Sequence, residues 1–161
     1  MHHADSSPNP NSPGSSASAS VVVVDPQPLS LIALAGVLHS QGYSCVCARS
    51  GDACLQALEM GHQDLIVWDV ADDAALVLET LAHLRRMQGY QSLPAILLAE
   101  SRWAGLEQKT ESLSAATRCL FKPIDPHAML AVAEQILWLP VLMDAHRRHG
   151  SSPSRSGWVT L

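Results

Sequence analysis

The sequence predicts a doubly wound α/β domain built on a five-stranded parallel sheet. From residue 21 onward, short and largely apolar runs alternate with segments in which apolar residues recur at helical spacing. Runs this apolar are typical of strands buried on both faces, as inside a parallel sheet. Five runs alternating with five helical segments predict right-handed crossovers. With 47% hydrophobic residues among 161, the chain can bury one ordinary core.

The five predicted strands are runs of four or five residues. They cover residues 21–24, 43–47, 64–68, 95–99 and 117–121. Their lengths fit the usual range for strands in globular domains.

The first two helices have recognisable ends. Leu31, Leu34 and Leu38 recur at helical spacing, and Gly42 stops the pattern. Ser50 is an N-cap residue for a second helix that runs to Gly61.

The later helices are less uniform. A stripe of Leu78, Leu81 and Leu84 predicts the third, whereas residues 102–116 are polar and weakly periodic. The fifth is predicted to begin with Asp125 as cap and Pro126 as its first residue, and to end at Pro140. Its inward positions are predicted to be Met129, Val132, Ala133, Ile136 and Leu137.

Composition divides the chain into one domain and two tails. Residues 1–20 are dominated by Ser, Pro, Asn and Ala and are predicted to be disordered. Residues 21–139 form the predicted domain, and residues 140–161 a flexible C-terminal tail.

Charge and leader patterns exclude several classes of protein. Residues 21–140 hold thirteen acidic residues against seven Lys and Arg, within a net charge of −5, so nucleic-acid binding is disfavoured. Neither a secretory leader nor a long uninterrupted apolar stretch is found, which predicts a cytoplasmic protein without a membrane span.

The cysteines also favour a reducing compartment. They lack the paired CxxC spacing of a zinc site and lie in apolar segments, where small core residues are expected: Cys45, Cys47, Cys54 and Cys119.

Three residues that could carry chemistry follow predicted strands. Asp25 follows the first, Asp69 the third and Lys122 the fifth. A parallel sheet would bring all three to its carboxyl edge, where such folds place their sites. Either aspartate taken singly could be ordinary turn chemistry.

Four motifs at these positions carry a resemblance. VVVVD (21–25), DLIVWD (64–69), LPAILLAE (93–100) and FKP (121–123), with LRR at 84–86, resemble the receiver domain of bacterial response regulators. The resemblance implies a flavodoxin-like (βα)₅ fold in two-component signalling.

The resemblance also implies roles for particular residues. Asp69 would be the phosphoacceptor, and Lys122 would contact the phosphoryl group. Mg²⁺ would be held by Asp25, Asp69 and the backbone carbonyl of Ala71. The implied partners are a sensor histidine kinase or phosphotransfer protein and a downstream protein, with a homodimer left open.

Some positions depart from the family's pattern. Pro26 replaces the second acid of the upstream pair, so Mg²⁺ affinity is expected to fall unless a nearby acid compensates. Ala99 stands where the family has Ser or Thr, with Ser101 as a candidate substitute, and Cys119 replaces the switch aromatic. The acids that could compensate are Asp72, Asp73 and Glu100.

Two other functions fit the sequence poorly. An FMN carrier would need more backbone N–H donors than Pro26-Gln27-Pro28 offers, and an aspartate-nucleophile phosphatase would need a second acid where Ala71 stands. The remaining alternative to a phosphorylated receiver is a pseudo-receiver that docks a partner without phosphorylation.

Overall fold

The computed structural model describes residues 18–111, 113 and 116–149, with only the backbone described for residues 139–149. The predictions for residues 1–17 and 150–161 lie outside this part of the chain. Within it, a parallel sheet is ordered β2-β1-β3-β4-β5. The strands are β1 (Ser20–Val24), β2 (Ser44–Ala48), β3 (Leu65–Asp69), β4 (Ala95–Ala99) and β5 (Thr117–Phe121).

Five α-helices connect or follow these strands. They are α1 (Pro28–Ser40), α2 (Gly51–Met60), α3 (Ala74–Leu84), α4 (Leu106–Glu111) and α5 (Pro126–His149). A single 3₁₀ turn, Ser101–Trp103, precedes the short α4. The predicted fold class is confirmed, and the predicted strands agree with the observed ones to within one residue.

Two features mark helix ends: a capping hydrogen bond at the start of α2 and a glycine after the end of α1. The Ser50 hydroxyl accepts a hydrogen bond from the Ala53 N–H at 3.2 Å, which confirms it as the cap of α2. Gly42, at φ +88°, adopts the left-handed conformation in the turn between α1 and β2.

The sheet separates two apolar layers. On one face, α1 and α5 pack on Val21 and Val23 through residues that include Leu38 and Met129. On the other, α2, α3 and α4 pack on the alternate residues of the same strands. This arrangement follows from the period of two along a strand, which sends successive side chains to opposite faces.

The prediction that the strands are buried on both faces is correct only for the central three. Every residue of β3 and β4 is buried, whereas β2 has one fully buried residue, Ala48. Cys47 is exposed, so its prediction as a core residue is wrong. An edge strand has a neighbour on one side only, and its side chains receive less cover from the helices.

The predicted end of the last helix is also wrong. The helix continues through Pro140 to His149. Proline removes one intrahelical N–H donor and costs roughly 3 kcal/mol, but the residues on both sides, including Leu139 and Leu142, are good helix formers. The penalty therefore does not end the helix.

The strand order places a switch point between β1 and β3. From β1 the chain adds β2 on one side and β3 on the other. Ligand sites of open α/β sheets lie outside the carboxyl ends of strands at such a point.

Candidate phosphoacceptor site

The sheet register brings the three predicted residues to one edge. Val24 pairs with Trp68, so Asp25 and Asp69 follow at the same level on adjacent strands. Asp69 ends β3, and Lys122 follows Phe121 at the end of β5. Residues from sequence positions almost one hundred apart thus meet because parallel strands end together.

Asp69 and Lys122 form an ion pair. The Lys122 Nζ lies 2.6 Å from the Asp69 Oδ2, and the Asp69 side chain is 5% exposed. The other oxygen, Oδ1, accepts a hydrogen bond from the Ala71 N–H at 2.9 Å. A buried carboxylate requires such donors, because removing its charge from water without them is expensive.

The backbone after β5 positions the lysine. The Lys122 N–H donates to the Ala99 carbonyl at 2.8 Å, which extends the β4–β5 ladder by one residue. Pro123 follows through a cis peptide bond.

Asp25 is buried with one oxygen unpaired. The residue is 1% exposed, and its Oδ1 accepts from the Gln27 N–H at 2.8 Å. Its Oδ2 has no hydrogen-bond partner among the described residues. Such an atom is the kind of oxygen that Mg²⁺ binds, so Asp25 fits a cation site. Pro26 adds no side-chain oxygen to it.

The carbonyl of Ala71 is already engaged. It accepts hydrogen bonds from the indole Nε1 of Trp103 at 3.1 Å and from the Nη2 of Arg102 at 3.2 Å. These two donors match the two lone pairs of a carbonyl oxygen. Ala71 itself has φ 49°, an uncommon conformation for a residue with a Cβ. In this arrangement the Ala71 carbonyl, which is the predicted Mg²⁺ ligand, accepts hydrogen bonds from the loop after β4.

The three acids that could compensate for Pro26 have other partners. Asp72 is 93% exposed and pairs with the Arg102 guanidinium at 2.6 Å, and Glu100 pairs with the same group at 3.1 Å. Asp73 caps α3 by accepting from the Leu76 N–H at 2.9 Å. Over residues 18–111, 113 and 116–138, no three His, Cys, Asp or Glu side chains cluster as metal ligands. The side-chain ligands of a cation site here would come from Asp25 and Asp69.

The sequence reasoning missed Arg102 and Trp103. They lie in the 3₁₀ turn just after β4, in a stretch whose weak periodicity offered no pattern. The available signal was their position, because a loop leaving the carboxyl end of a central strand borders the site. The Arg102 guanidinium also lies 5.4 Å from the centroid of the Trp103 ring.

A cavity opens beside the ion pair. It has a volume of about 360 Å³ and lies between α1 and the start of α5. Asp69 and Lys122 contribute to a wall that is otherwise mostly apolar, with Leu34, Leu98 and Met129. The Asp69 carboxylate is thus buried by the fold but borders a cavity on this side.

Two positions show how the switch residues of the family have changed. Ala99 is 0% exposed at the end of β4, and Ser101 lies exposed in the next turn, where no contact with Asp69 or Lys122 is seen among the described side chains. Cys119 is half-buried on β5, and burial raises the pKa of its thiol. Neither position carries the hydroxyl or the aromatic ring of the family's pattern.

Arg85, from the LRR motif, lies at the opposite end of the sheet. Its guanidinium donates to the Leu93 carbonyl at 3.1 and 3.2 Å and to the Thr117 hydroxyl at 2.7 Å. Burial lowers the pKa of Arg85 to about 10. The contacts join the starts of β4 and β5, far from Lys122.

The comparison with protein families agrees with this geometry. The model of the response regulator receiver domain matches residues 21–134. The chain belongs to this family. It is therefore a receiver domain of two-component systems, a class that typically binds Mg²⁺, interacts with histidine kinases or phosphotransfer proteins, and is not generally made of classical enzymes.

Several solved structures share the fold of this chain. The chemotaxis protein CheY4 of Vibrio cholerae is 23% identical with a TM-score of 0.68, over 75% of this chain and 100% of that chain. The receiver domain of a signal transduction histidine kinase from Syntrophus aciditrophicus is 18% identical with a TM-score of 0.63, over 89% and 100%. NtrX of Brucella abortus is 21% identical with a TM-score of 0.68, over 84% of this chain and 30% of its own. Among curated proteins, none matches this chain.

The structure bears on the membrane prediction as well. Among the described helices, none combines the length and apolar character needed to cross a bilayer.

Proposed function

We propose that this protein accepts a phosphoryl group on Asp69 as a stand-alone receiver in a two-component phosphorelay. The observation that carries the proposal is the ion pair between Lys122 and Asp69 at the switch point of the sheet. A buried carboxylate beside a fixed cation and an open cavity is an arrangement suited to phosphoryl transfer, which depends on positioning and charge neutralisation.

The proposed step is a displacement at phosphorus. A carboxylate oxygen of Asp69 attacks the phosphorus of a phosphohistidine in the donor protein. The P–O bond forms as the P–N bond breaks, and the imidazole nitrogen leaves with the electron pair. Lys122, now 2.6 Å from the carboxylate, neutralises charge on the phosphoryl oxygens.

Asp25 and Asp69 would hold Mg²⁺ through their carboxylates, and water and the Ala71 carbonyl, once a donor leaves it, would complete the coordination. The cation supplies positive charge beside the phosphoryl oxygens when it is bound. We expect weak affinity, because Pro26 contributes no carboxylate and the Ala71 carbonyl is engaged by two donors.

The proposed partners follow from this chemistry. A sensor histidine kinase or phosphotransfer protein would donate the phosphoryl group in the cytoplasm, and a downstream protein would bind the modified receiver. We expect the surface of α4 and α5 to make that contact, with Glu107, Glu111 and Glu134 as its exposed acidic residues.

The second candidate is a pseudo-receiver that docks its partner without phosphorylation. It is favoured by three departures together, namely Pro26, Ala99 and Cys119. The donors on the Ala71 carbonyl add to them, because they hold the site together without a cation.

Intact-mass spectrometry after incubation with acetyl phosphate and MgCl₂ separates the two candidates. We expect a phosphoryl adduct on the wild-type chain and none on Asp69→Asn. The control variant is Asp73→Asn. It changes a neighbouring carboxylate that caps α3 and should leave the adduct in place. A folded wild-type protein without any adduct would favour the pseudo-receiver.

A further inference from the structure

The loop after β4 is held to the loop after β3 by two donors that share one acceptor. The Trp103 indole and the Arg102 guanidinium both donate to the Ala71 carbonyl, at 3.1 and 3.2 Å. We call Arg102 and Trp103 the strap. These contacts join residues that are 31 and 32 positions apart in the chain.

We propose that the strap competes with a divalent cation for the Ala71 carbonyl, so that cation binding at Asp25 and Asp69 releases the loop after β4. The inference rests on the cation site of the proposed function. Arg102 and Trp103 are positioning residues, because they act through the carbonyl and have no contact with the phosphoryl acceptor among the described hydrogen bonds.

The competition follows from the acceptor's capacity. A carbonyl oxygen has two lone pairs, and the strap uses both. A cation that takes this oxygen as a ligand must displace at least one donor, and a donor that leaves must find water or another acceptor. The Asp25 Oδ2, which has no hydrogen-bond partner among the described residues, is a second oxygen that such a cation could take without displacing a donor.

The strap is held weakly enough to be released. Arg102 is half exposed, and its partners Asp72 and Glu100 are exposed carboxylates, a setting in which ion pairs contribute little. The Trp103 ring is partly buried against the core of the α2–α4 side. The hydrogen bond from the Trp103 indole to the Ala71 carbonyl is therefore the contact that decides whether a cation can take this carbonyl.

The strap offers a route for the signal that does not use positions 99 and 119. Ala99 has no hydroxyl to bind a phosphoryl oxygen, and Cys119 is no aromatic switch. Release of Trp103 would move the segment that leads into α4 in response to occupancy of the site.

The test is an NMR titration of the full chain, labelled with ¹⁵N at the indole nitrogens, with MgCl₂. Four indole signals are expected, from Trp68, Trp103, Trp138 and Trp158. On saturation the Trp103 signal should shift from a hydrogen-bonded to a water-exposed position. Trp103→Phe keeps an aromatic side chain but removes the indole N–H donor together with the pyrrole ring, and it should bind Mg²⁺ about two- to tenfold more tightly.

The control is Trp138→Phe. Trp138 is 56% exposed and borders a cavity beside Ser18, at the far end of β1 from Asp25, so its loss should leave the Mg²⁺ affinity unchanged. Mg²⁺ binding with an unmoved Trp103 signal and equal affinities in wild type and Trp103→Phe would overturn the strap. Absence of Mg²⁺ binding to either protein would also overturn it, whereas the proposed function would still be decided separately by the mass of the Asp69 adduct.

Discussion

On the β5 side of Asp69, the chain itself supplies the counter-charge: Lys122 lies 2.6 Å from the carboxylate. On the β1 side, the buried Asp25 has an oxygen without a hydrogen-bond partner among the described residues, and Pro26 follows it without a side-chain ligand. The chain therefore supplies a cation of its own for the Asp69 carboxylate. For the Asp25 oxygen it supplies no hydrogen-bond donor among the described residues, so this side is the one open to a bound cation.

The largest expected effect comes from removing the built-in cation. Lys122→Met leaves the buried Asp69 carboxylate without its charge partner and should lower the free energy of unfolding by about 2 kcal/mol. The loss stays below that of a fully buried pair because Lys122 is 36% exposed. Urea unfolding at pH 7 measures it. In an Asp69→Asn background the same substitution should cost much less, and equal costs in both backgrounds would mean that the pair does not stabilise the fold.

On the β1 side we expect a substitution to raise the free energy of unfolding instead of lowering it. Asp25→Asn keeps the Oδ1 that accepts from Gln27 and removes an unpaired buried charge, so the free energy of unfolding without Mg²⁺ should rise by about 1 kcal/mol. Any rise in melting temperature on adding Mg²⁺ should disappear. Asp73→Asn is the matched control, because Asn and Asp cap helices equally well. Destabilisation by Asp25→Asn would show that the unpaired oxygen has a partner in solution.

Adding a hydroxyl at position 99 should strengthen the binding of a phosphoryl analogue. Ala99→Ser places a donor at the carboxyl end of β4, and we expect it to strengthen the binding of beryllofluoride by about 1 kcal/mol. Thermal melting with and without beryllofluoride and Mg²⁺ measures the gain. Ala95→Ser is equally buried at the other end of the strand and should give no gain. If both variants respond alike, the hydroxyl does not reach the ligand.

The smallest effect concerns the thiols. At pH 8 the exposed Cys47 should be alkylated first, and Cys54 last, because burial raises the pKa of its thiol to about 12. Cys119 should be slower than Cys47, since burial also raises the pKa of that thiol. Beryllofluoride should leave the alkylation rate of Cys119 unchanged, because Ala99 lacks the hydroxyl that the family's pattern has at this position. Mass-resolved labelling measures these rates, and a ligand-dependent rate at Cys119 would mean that β5 still takes part in the response.

The fold was predictable because its signals are local. Apolar runs, helical spacing and caps such as Ser50 act over a few residues, and they predicted the strands to within one residue. The meeting of Asp69 and Lys122 followed from one further rule, that parallel strands end at a common edge.

Burial at the edges was less predictable. Cys47 belongs to an apolar run like those of the central strands, yet it is exposed, because its strand has one neighbour. Pro140 was expected to end α5, but a single missing donor does not outweigh favourable residues on both sides. Both outcomes depend on what surrounds a segment.

The sequence by itself determined the alternation of strands and helices, the common edge, and the placing of Asp69 and Lys122 at that edge. Only the tertiary structure decided that Asp25 has an oxygen unpaired by any described residue, and that Trp103 and Arg102 donate to the Ala71 carbonyl. The physical reason is range. Propensity and periodicity are properties of neighbouring residues, whereas the choice of donor for one carbonyl depends on where two loops, more than thirty residues apart, come to lie.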